Sequence, residues 1–209
     1  MLLSIVVVYL LVQESVACWS TTDCLPCQNT TVSEPTLTQQ QTNALFNLSQ
    51  ELDLLSYQEL QERVYNTAEP PIHLSDEQII ELINYFHDLF KKREELNSTV
   101  TAINEQTVIN STDVNVCSSV FDVKIYNLAL DKFGKVVYVP QLVKYDLYQE
   151  FVEGLCTGTE CVSSASCKCK TALSDLGRSI VTYIGSGDPK FYTTWIKLNS
   201  CTAYIDAPE

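Results

Sequence analysis

The sequence predicts a chain in two parts: a largely α-helical N-terminal region, followed by a mostly β C-terminal region of elongated antiparallel hairpins. Three observations lead to this expectation. Leucines recur at helical spacing in the first part, β-branched and aromatic runs alternate with turn residues in the second, and six of the nine cysteines lie in the second. No regular alternation of helices and strands runs through the chain, so a parallel α/β sheet is not expected.

Residues 1–17 have the features of a secretory signal peptide. The chain opens with an apolar run that is too short to span a bilayer, and the small residues Ser15 and Ala17 precede the expected cleavage point. No later segment is apolar enough to insert into a membrane. The mature chain is therefore expected to be secreted and extracellular.

Four Asn-x-Ser/Thr sequons agree with this compartment and predict glycosylation. They are at Asn29, Asn47, Asn97 and Asn110. In a secreted chain, nine cysteines are most simply disulfide partners, and an odd number leaves one thiol free or bonded to another molecule. A covalent homodimer is the economical explanation of the odd cysteine.

The formal net charge of −13 argues against nucleic acid or an anionic membrane as a partner, and a basic receptor patch suits such a chain better. Catalysis is not expected, because His73 and His87 are the only histidines and no metalloprotease, Gly-x-Ser-x-Gly or phosphate-binding glycine motif is present. Two short cysteine spacings resemble zinc ligands, but disulfides usually consume such thiols in an oxidising compartment. No cofactor or metal is expected.

The helical region is predicted element by element. A Thr-, Gln- and Asn-rich stretch over residues 29–43 is expected to be flexible, because its composition can bury little. Capping boxes of Ser56 with Glu59 and of Ser75 with Gln78 start the second and third helices. The first helix carries Leu45, Leu48, Leu52 and Leu55 at three-and-four spacing, and the third has an apolar side of Ile79, Leu82, Ile83, Phe86, Leu89 and Phe90.

The basic triplet Lys91-Lys92-Arg93 follows the third helix and has two interpretations. The helix dipole favours basic residues in a last helical turn. In a secreted precursor, such a run is also a site for trypsin-like processing proteases. Cleavage after Arg93 would divide the chain into a helical, glycosylated pro-region over residues 18–93 and a ligand domain over residues 94–209.

The second part has strand patterns. Residues 120–126 partly alternate apolar and polar side chains, and residues 136–139 form a β-branched and aromatic run. Residues 179–184 and 191–198 are separated by the turn-forming residues 185–189, which predicts a hairpin. Its aromatic residues are candidates either for packing or for receptor contact, since Trp and Tyr are enriched in binding hot spots. They are Tyr183, Tyr192 and Trp195.

Four segments of this second part have the order found in one family of ligands. They are CSSV from Cys117, ALDKFGKVVYV from Ala129, YQEFVEGLC from Tyr148, and the segment from Tyr192 in which WIKLNS leads into a cysteine. Together they resemble the neurotrophin and Spätzle group of cystine-knot ligands, which contains the nerve growth factor-related domain. The similarity covers the chain from Cys117 to Tyr204.

The resemblance implies a disulfide pattern. In that family six cysteines pair first with fourth, second with fifth and third with sixth, and one bond passes through the ring that the other two form. Carried onto this sequence, the pattern pairs Cys117 with Cys169 or Cys167, and Cys156 with Cys201.

The third bond of the knot cannot form in this chain. The family ends its last strand with Cys-x-Cys, where this sequence has Cys201-Thr202-Ala203. The resemblance then implies that Cys161, the third cysteine, bonds Cys167 in a small local loop. An elongated cystine-knot cytokine fold with an incomplete knot is the resulting expectation.

The resemblance also implies a function. The expected protein is a secreted growth-factor-like or cytokine-like ligand, processed from a precursor, that binds and dimerises a cell-surface receptor of the Toll or neurotrophin type. A homodimeric ligand presents one surface twice and so brings two receptor ectodomains together. The alternative is a secreted, disulfide-rich decoy or inhibitor that binds a receptor or partner without activating it.

Overall fold

The computed structural model describes residues 33–95, 117–161 and 167–205. The predicted signal peptide and the cysteines at positions 18, 24 and 27 lie outside these ranges. The described helices are α1 (Gln39–Leu52), α2 (Tyr57–Tyr65) and α3 (Asp76–Tyr85). The described strands are β1 (Lys91–Lys92), β2 (Ser119–Lys124), β3 (Leu128–Leu130), β4 (Val136–Tyr138), β5 (Leu147–Tyr148), β6 (Phe151–Cys156), β7 (Cys167–Tyr183) and β8 (Tyr192–Ile205).

Helix α1 begins directly after Thr38, so the prediction of a flexible stretch is wrong for residues 33–43. The Thr38 side-chain oxygen accepts a hydrogen bond from the Gln41 backbone N–H, and the Gln41 side chain accepts one from the Thr38 N–H. Leu37 is buried and donates its N–H to the carbonyl of Pro189. A capping box and one buried leucine thus order a polar stretch.

Helices α2 and α3 begin where their capping boxes predict. Ser56 and Glu59 exchange two hydrogen bonds at the start of α2, and Ser75 and Gln78 do the same at the start of α3. Each box satisfies backbone N–H groups that the first helical turn leaves without partners. These two N-termini are confirmed.

Helix α3 ends at Tyr85, before the basic triplet. A short 3-10 turn over His87–Leu89 follows, and Lys91 and Lys92 then form β1. This strand pairs antiparallel with β5, where Lys91 lies opposite Tyr148. The interpretation of the triplet as the last turn of a helix is therefore wrong.

The C-terminal part is largely β, and its described strands pair in antiparallel fashion, as the sequence predicts. β1–β5 and β2–β6 are two-stranded ribbons, whereas the four-stranded sheet has the order β3-β4-β7-β8. In the β2–β6 ribbon, Ser119 lies opposite Cys156 and Lys124 lies opposite Phe151. The strand class of this region follows from its β-branched and aromatic content.

β7 and β8 form a long hairpin of 17 and 14 residues. The connection between them, residues 184–191, contains the predicted turn segment 185–189, in which Gly185 and Gly187 have φ angles of 79° and 70°. Glycine is the residue that adopts this left-handed region without strain. β7 starts at Cys167, well before the predicted residue 179. The sequence does not show this start because the first half of β7 has little alternation of apolar and polar residues. That half is held as a strand by pairing with the C-terminal half of β8.

The helices and the four-stranded sheet share one hydrophobic core. Val64 and Leu82 are fully buried, and full burial of an aliphatic side chain contributes about 1.5–3 kcal/mol. The shared cluster contains Leu37, Leu45, Val64, Ile72, Ile79, Leu82, Phe90, Leu128, Leu130, Tyr138, Leu142, Ile180 and Phe191. A second cluster lies within the β part and contains Tyr126, Ala129, Val137, Val139, Phe151, Val181, Ile196 and Leu198. The helical segment is therefore a structural part of the fold.

Polar contacts join the same two regions. The Asn127 side-chain amide donates a hydrogen bond of 2.7 Å to the carbonyl of Ala68. The ammonium of Lys144 lies 2.5 Å from the Asp76 carboxylate, but both side chains are more than half exposed. Exposed ion pairs contribute little stability, so the apolar core is the main source of the attachment.

Candidate functional site

All six cysteines of the described β part are in disulfides. They pair as Cys117–Cys169, Cys156–Cys201 and Cys161–Cys167. Of the two partners that the family resemblance left open for Cys117, the structure has Cys169, and the other two pairs agree with the resemblance. The first two join positions separated by 52 and 45 residues. Each closure of that length is worth about 4 kcal/mol on the chain-entropy estimate, a large share of the stability of a typical domain.

Ala203 stands where the family resemblance would place a sixth cysteine. It lies opposite Cys169 in the β7–β8 ladder, and Cys161 bonds Cys167 instead of reaching β8. The Sγ atom of Cys161 nevertheless lies 3.7 Å from that of Cys169, and these two sulfurs and that of Cys117 are all within 4.8 Å of one another. Because the three sulfurs are oxidised, they are not thiolate ligands for a metal.

The three aromatic residues that are candidates for packing or for receptor contact differ in their exposure. Tyr183 and Tyr192 are half-buried near the hairpin turn, with ring centroids 6.1 Å apart. The Tyr192 hydroxyl donates a hydrogen bond to the Asp188 carboxylate, which raises the pKa of Tyr192 and lowers the pKa of Asp188. Trp195 follows at an odd spacing, on the opposite face of the strand, and is 47% exposed. Of the three, Trp195 has the largest free surface for a contact.

Trp195 has a cationic and apolar setting on the hairpin. Arg178 lies opposite Trp195 in the ladder, and the next pair on the same face is Leu176 with Lys197. Side chains of directly opposed and adjacent same-face pairs are neighbours in a sheet. The hairpin therefore groups two cations with two exposed apolar side chains.

The turn between β3 and β4 borders this group. Lys132 donates its backbone N–H to the carbonyl of Trp195 at 2.9 Å, and its ammonium lies 4.9 Å from the centre of the Phe133 ring. The ammonium of Lys197 extends toward the same turn, 3.9 Å from the position that a Cβ would take at Gly134. The six side chains are named the cationic–aromatic patch: Lys132, Phe133, Leu176, Arg178, Trp195 and Lys197.

Trp195 is the one patch residue that the sequence singled out, as a candidate for packing or for receptor contact. Phe133 had a usable signal, because a large aromatic residue in a tight turn has little of its own chain to cover it, and it is 74% exposed. Arg178 and Leu176 had no such signal in the sequence. Their place beside Trp195 depends on the register of β7 against β8, which no local pattern specifies.

The patch has a charge opposite to that of the whole chain. Its three cations, Lys132, Arg178 and Lys197, form no ion pair with any described residue, whereas the formal net charge is −13. Salt screens exposed charges beyond about 8 Å at physiological ionic strength. The charges close to the patch, and not the distant ones, therefore act on a molecule at this surface.

No family model and no curated protein matches this chain. Within the described ranges, no helix is both long enough and apolar enough to cross a membrane.

The basic triplet is exposed but attached to the β part. Lys91 is ion-paired with Glu150, whose side chain is only 6% exposed. The Arg93 guanidinium lies 5.1 Å from the centre of the Tyr148 ring and donates a hydrogen bond of 3.3 Å to its hydroxyl. Lys92 completes the short β1 strand. A processing protease therefore has to detach the triplet from β5 before it can bind it as a free segment.

One predicted glycosylation site lies among the described residues. Asn47 is exposed on α1, and Ser49 of its sequon donates its hydroxyl to the carbonyl of Phe46. A glycan on Asn47 would extend from the outer side of the helix. The other sequons, at Asn29, Asn97 and Asn110, lie outside the described residues.

Proposed function

We propose that this protein is a secreted growth-factor-like or cytokine-like ligand that binds a cell-surface receptor of the Toll or neurotrophin type through the cationic–aromatic patch. The observation that carries the proposal is the exposed Trp195 beside Arg178 on a disulfide-clamped hairpin. Trp and Arg are among the residues most enriched in binding hot spots. The family resemblance supplies the class of partner.

The scaffold beneath the patch favours tight binding. Ile196 and Leu198, which alternate with the patch residues along β8, are buried in the core. The Cys156–Cys201 disulfide ties the same strand to β6. A surface that is already ordered loses little conformational entropy on association, so more of the contact energy remains as affinity.

The chemistry of the patch favours an acidic receptor surface. Lys132, Arg178 and Lys197 form no ion pair with a described acidic residue, and opposite charge on a partner accelerates encounter and fixes orientation. Trp195 and Phe133 add apolar contact area. The on-rate of the complex is therefore expected to fall as the salt concentration rises.

The ligand is proposed to be made as a precursor that is cut after Arg93 and to act as a homodimer. Two copies present two patches, and simultaneous engagement raises the apparent affinity without any new contact. The exposed position of the triplet supports access by a processing protease once β1 detaches.

Cell binding tests the proposal. Labelled protein, both uncut and cut, should bind receptor-bearing cells saturably, and unlabelled protein should compete. Trp195→Ala and Arg178→Ala should each weaken binding by about 30-fold, the equivalent of a hot spot of about 2 kcal/mol. Leu54→Ala is the matched control, because Leu54 is an 87% exposed apolar residue in the turn between α1 and α2. It should bind as the wild type does.

A signalling readout on the same cells separates the two candidate functions. A ligand activates the receptor, whereas blockade without activation would assign the decoy or inhibitor alternative. Saturable binding that both patch variants retain would exclude this surface, and the absence of saturable binding would exclude the proposed function.

A further inference from the structure

Two disulfides are in contact at the distal end of β7. The Sγ atoms of Cys161 and Cys169, which belong to different disulfides, are 3.7 Å apart. Cys117, the partner of Cys169, places its sulfur within 4.8 Å of the same two atoms. Attack on Cys169 would require the Cys161 side chain, once freed by reduction, to rotate until its sulfur is in line with the Cys117–Cys169 bond.

The two disulfides differ in exposure. Cys161 and Cys167 are half-buried, whereas Cys117 and Cys169 are 8% and 4% exposed. Access to a sulfur controls how fast an external thiol attacks it. Of these two disulfides, Cys161–Cys167 is therefore the one that an external reductant meets first, while Cys117–Cys169 is protected from direct attack.

The backbone holds Cys161 in place without its disulfide. Cys161 donates its N–H to the carbonyl of Cys167 at 3.3 Å, and Cys169 donates its N–H to the carbonyl of Thr159 at 2.8 Å. Glu160 forms a β-bridge with Lys168 between these two bonds. The Cys161 sulfur released by reduction thus stays beside Cys169.

We propose that Cys161–Cys167 is a thiol–disulfide exchange site. A dithiol reductant reduces this disulfide, and the released Cys161 thiolate then attacks the buried Cys117–Cys169 disulfide. The dithiol breaks the Cys161–Cys167 bond, becoming a disulfide itself and leaving two thiols. The Cys161 thiolate then attacks Cys169: the Cys161–Cys169 bond forms, the Cys117–Cys169 bond breaks, and Cys117 leaves as a thiolate that takes up the proton lost by Cys161. The second step needs no further reductant.

The exchange converts a long-range crosslink into a local one. Cys117–Cys169 spans 52 residues and fixes the chain two residues before β2 to β7, whereas Cys161 and Cys169 are only eight residues apart. The start of β2 is released, while Cys156–Cys201 still joins β6 to β8. One reductive event at the surface therefore loosens one end of the β2–β6 ribbon. This reactivity is independent of the proposed signalling role.

Limited reduction of the full secreted protein tests the proposal. The protein is treated with one equivalent of dithiothreitol, alkylated at once, digested without further reduction and examined by mass spectrometry. The expected product has Cys117 and Cys167 alkylated in a 1:1 ratio and a Cys161–Cys169 crosslink. Alkylation of Cys161 and Cys167 with Cys117–Cys169 intact would overturn the proposal, and so would a Cys161–Cys117 crosslink.

Two variants separate exchange from direct reduction. In Cys161→Ser the attacking sulfur is absent, so Cys117 should stay unalkylated under the same treatment. In Cys167→Ser the Cys161 thiol is free from the start, so alkylation should trap Cys117 with no reductant added. The second variant tests the step even if the first does not fold, and absence of Cys117 alkylation in it would overturn the proposal.

Discussion

The hydroxyl of Tyr65 donates a hydrogen bond of 2.7 Å to the backbone carbonyl of Lys197, across 132 residues of sequence. The same oxygen accepts a hydrogen bond from the Leu130 N–H at 3.3 Å. One helical side chain thereby satisfies backbone groups on both edge strands of the four-stranded sheet, β3 and β8. Unsatisfied strand edges are sites of unwanted pairing, so this contact joins α2 to the fold and also protects an edge.

Tyr65→Phe should destabilise the protein by about 1–3 kcal/mol, because two backbone groups in a partly buried setting lose their partner. Chemical denaturation measures the change in the free energy of unfolding. Tyr57→Phe is the matched control, since Tyr57 is 59% exposed and its change should be close to zero. Equal stabilities for the two variants would contradict a structural role for the Tyr65 hydroxyl.

Three tyrosines, the buried Tyr126 and Tyr138 and the half-buried Tyr65, should resist ionisation. Burial raises the pKa of Tyr65, Tyr126 and Tyr138, and the Glu153 carboxylate raises that of Tyr126 further. A raised pKa in the folded state gives stability that is complete below the ordinary tyrosine pKa near 10 and is lost as the pH rises above it. Ultraviolet titration should show these three ionising only with alkaline unfolding. Ordinary titration of all 11 tyrosines in the folded protein would contradict this expectation.

Cleavage after Arg93 should leave the two pieces associated. Val64 and Leu82 are fully buried in the core that the helices share with the sheet, so separation would expose that core to water. Size-exclusion chromatography of the cut protein should give one native species and two pieces in denaturant. Leu82→Ala should promote dissociation, since such a core deletion costs about 2–5 kcal/mol. Ile80→Ala, on the same helix at a 49% exposed position, should not.

Glu150→Gln should accelerate cleavage after Arg93. The substitution keeps the shape of the side chain but removes the ion pair that attaches Lys91 to the β part. If that ion pair contributes about 1 kcal/mol, the opened state of β1 becomes about fivefold more populated, and the rate of cleavage should rise by the same factor. The control is reduced, alkylated and unfolded protein, in which wild type and variant should be cut equally fast. A variant that is cut no faster in the folded state would show that β1 does not protect the site.

Ala203→Cys combined with Cys167→Ser should form a disulfide between positions 161 and 203 in place of Cys161–Cys167. Ala203 lies opposite Cys169, and Cys161 Sγ is 3.7 Å from Cys169 Sγ, so a cysteine at position 203 is near the freed sulfur. The new bond would close a much longer loop than Cys161–Cys167, which spans 6 residues, and should stabilise the protein by about 1.5–2 kcal/mol relative to wild type. Peptide mapping and thermal unfolding measure the outcome. A free thiol at Cys161 in the double variant would show that its sulfur cannot reach position 203 on β8.

The elements that could be predicted are those defined by neighbours in sequence. Ser56 and Ser75 were recognisable as helix caps because their partners lie three residues away, and residues 185–189 were recognisable as a turn from their own composition. The start of β7 at Cys167 was missed because its pairing partner, near Ile205, lies at the far end of the hairpin. Likewise, Thr38 and Leu37 order a stretch whose composition predicted flexibility.

The candidate site follows the same division. The disulfide pairs were predicted from the family resemblance, and Trp195 was chosen for its residue type. Neither the resemblance nor the residue type predicted that Arg178 and Phe133 lie beside Trp195. Their proximity arises from the ladder register and from the β3–β4 turn. The contact between the two disulfides was also absent from the sequence pattern, since it depends on how residues 159–161 pair with β7.

The amino-acid sequence by itself determined where the capped helices α2 and α3 begin, where the long hairpin turns and which regions form strands, because these depend on hydrogen bonds and sterics within a few residues. Tertiary structure alone decided that the helices complete the core of the sheet, that the basic triplet forms a strand, and that the patch cations gather around Trp195. Those outcomes depend on burial and pairing between residues far apart in the chain, for which no local pattern carries the information.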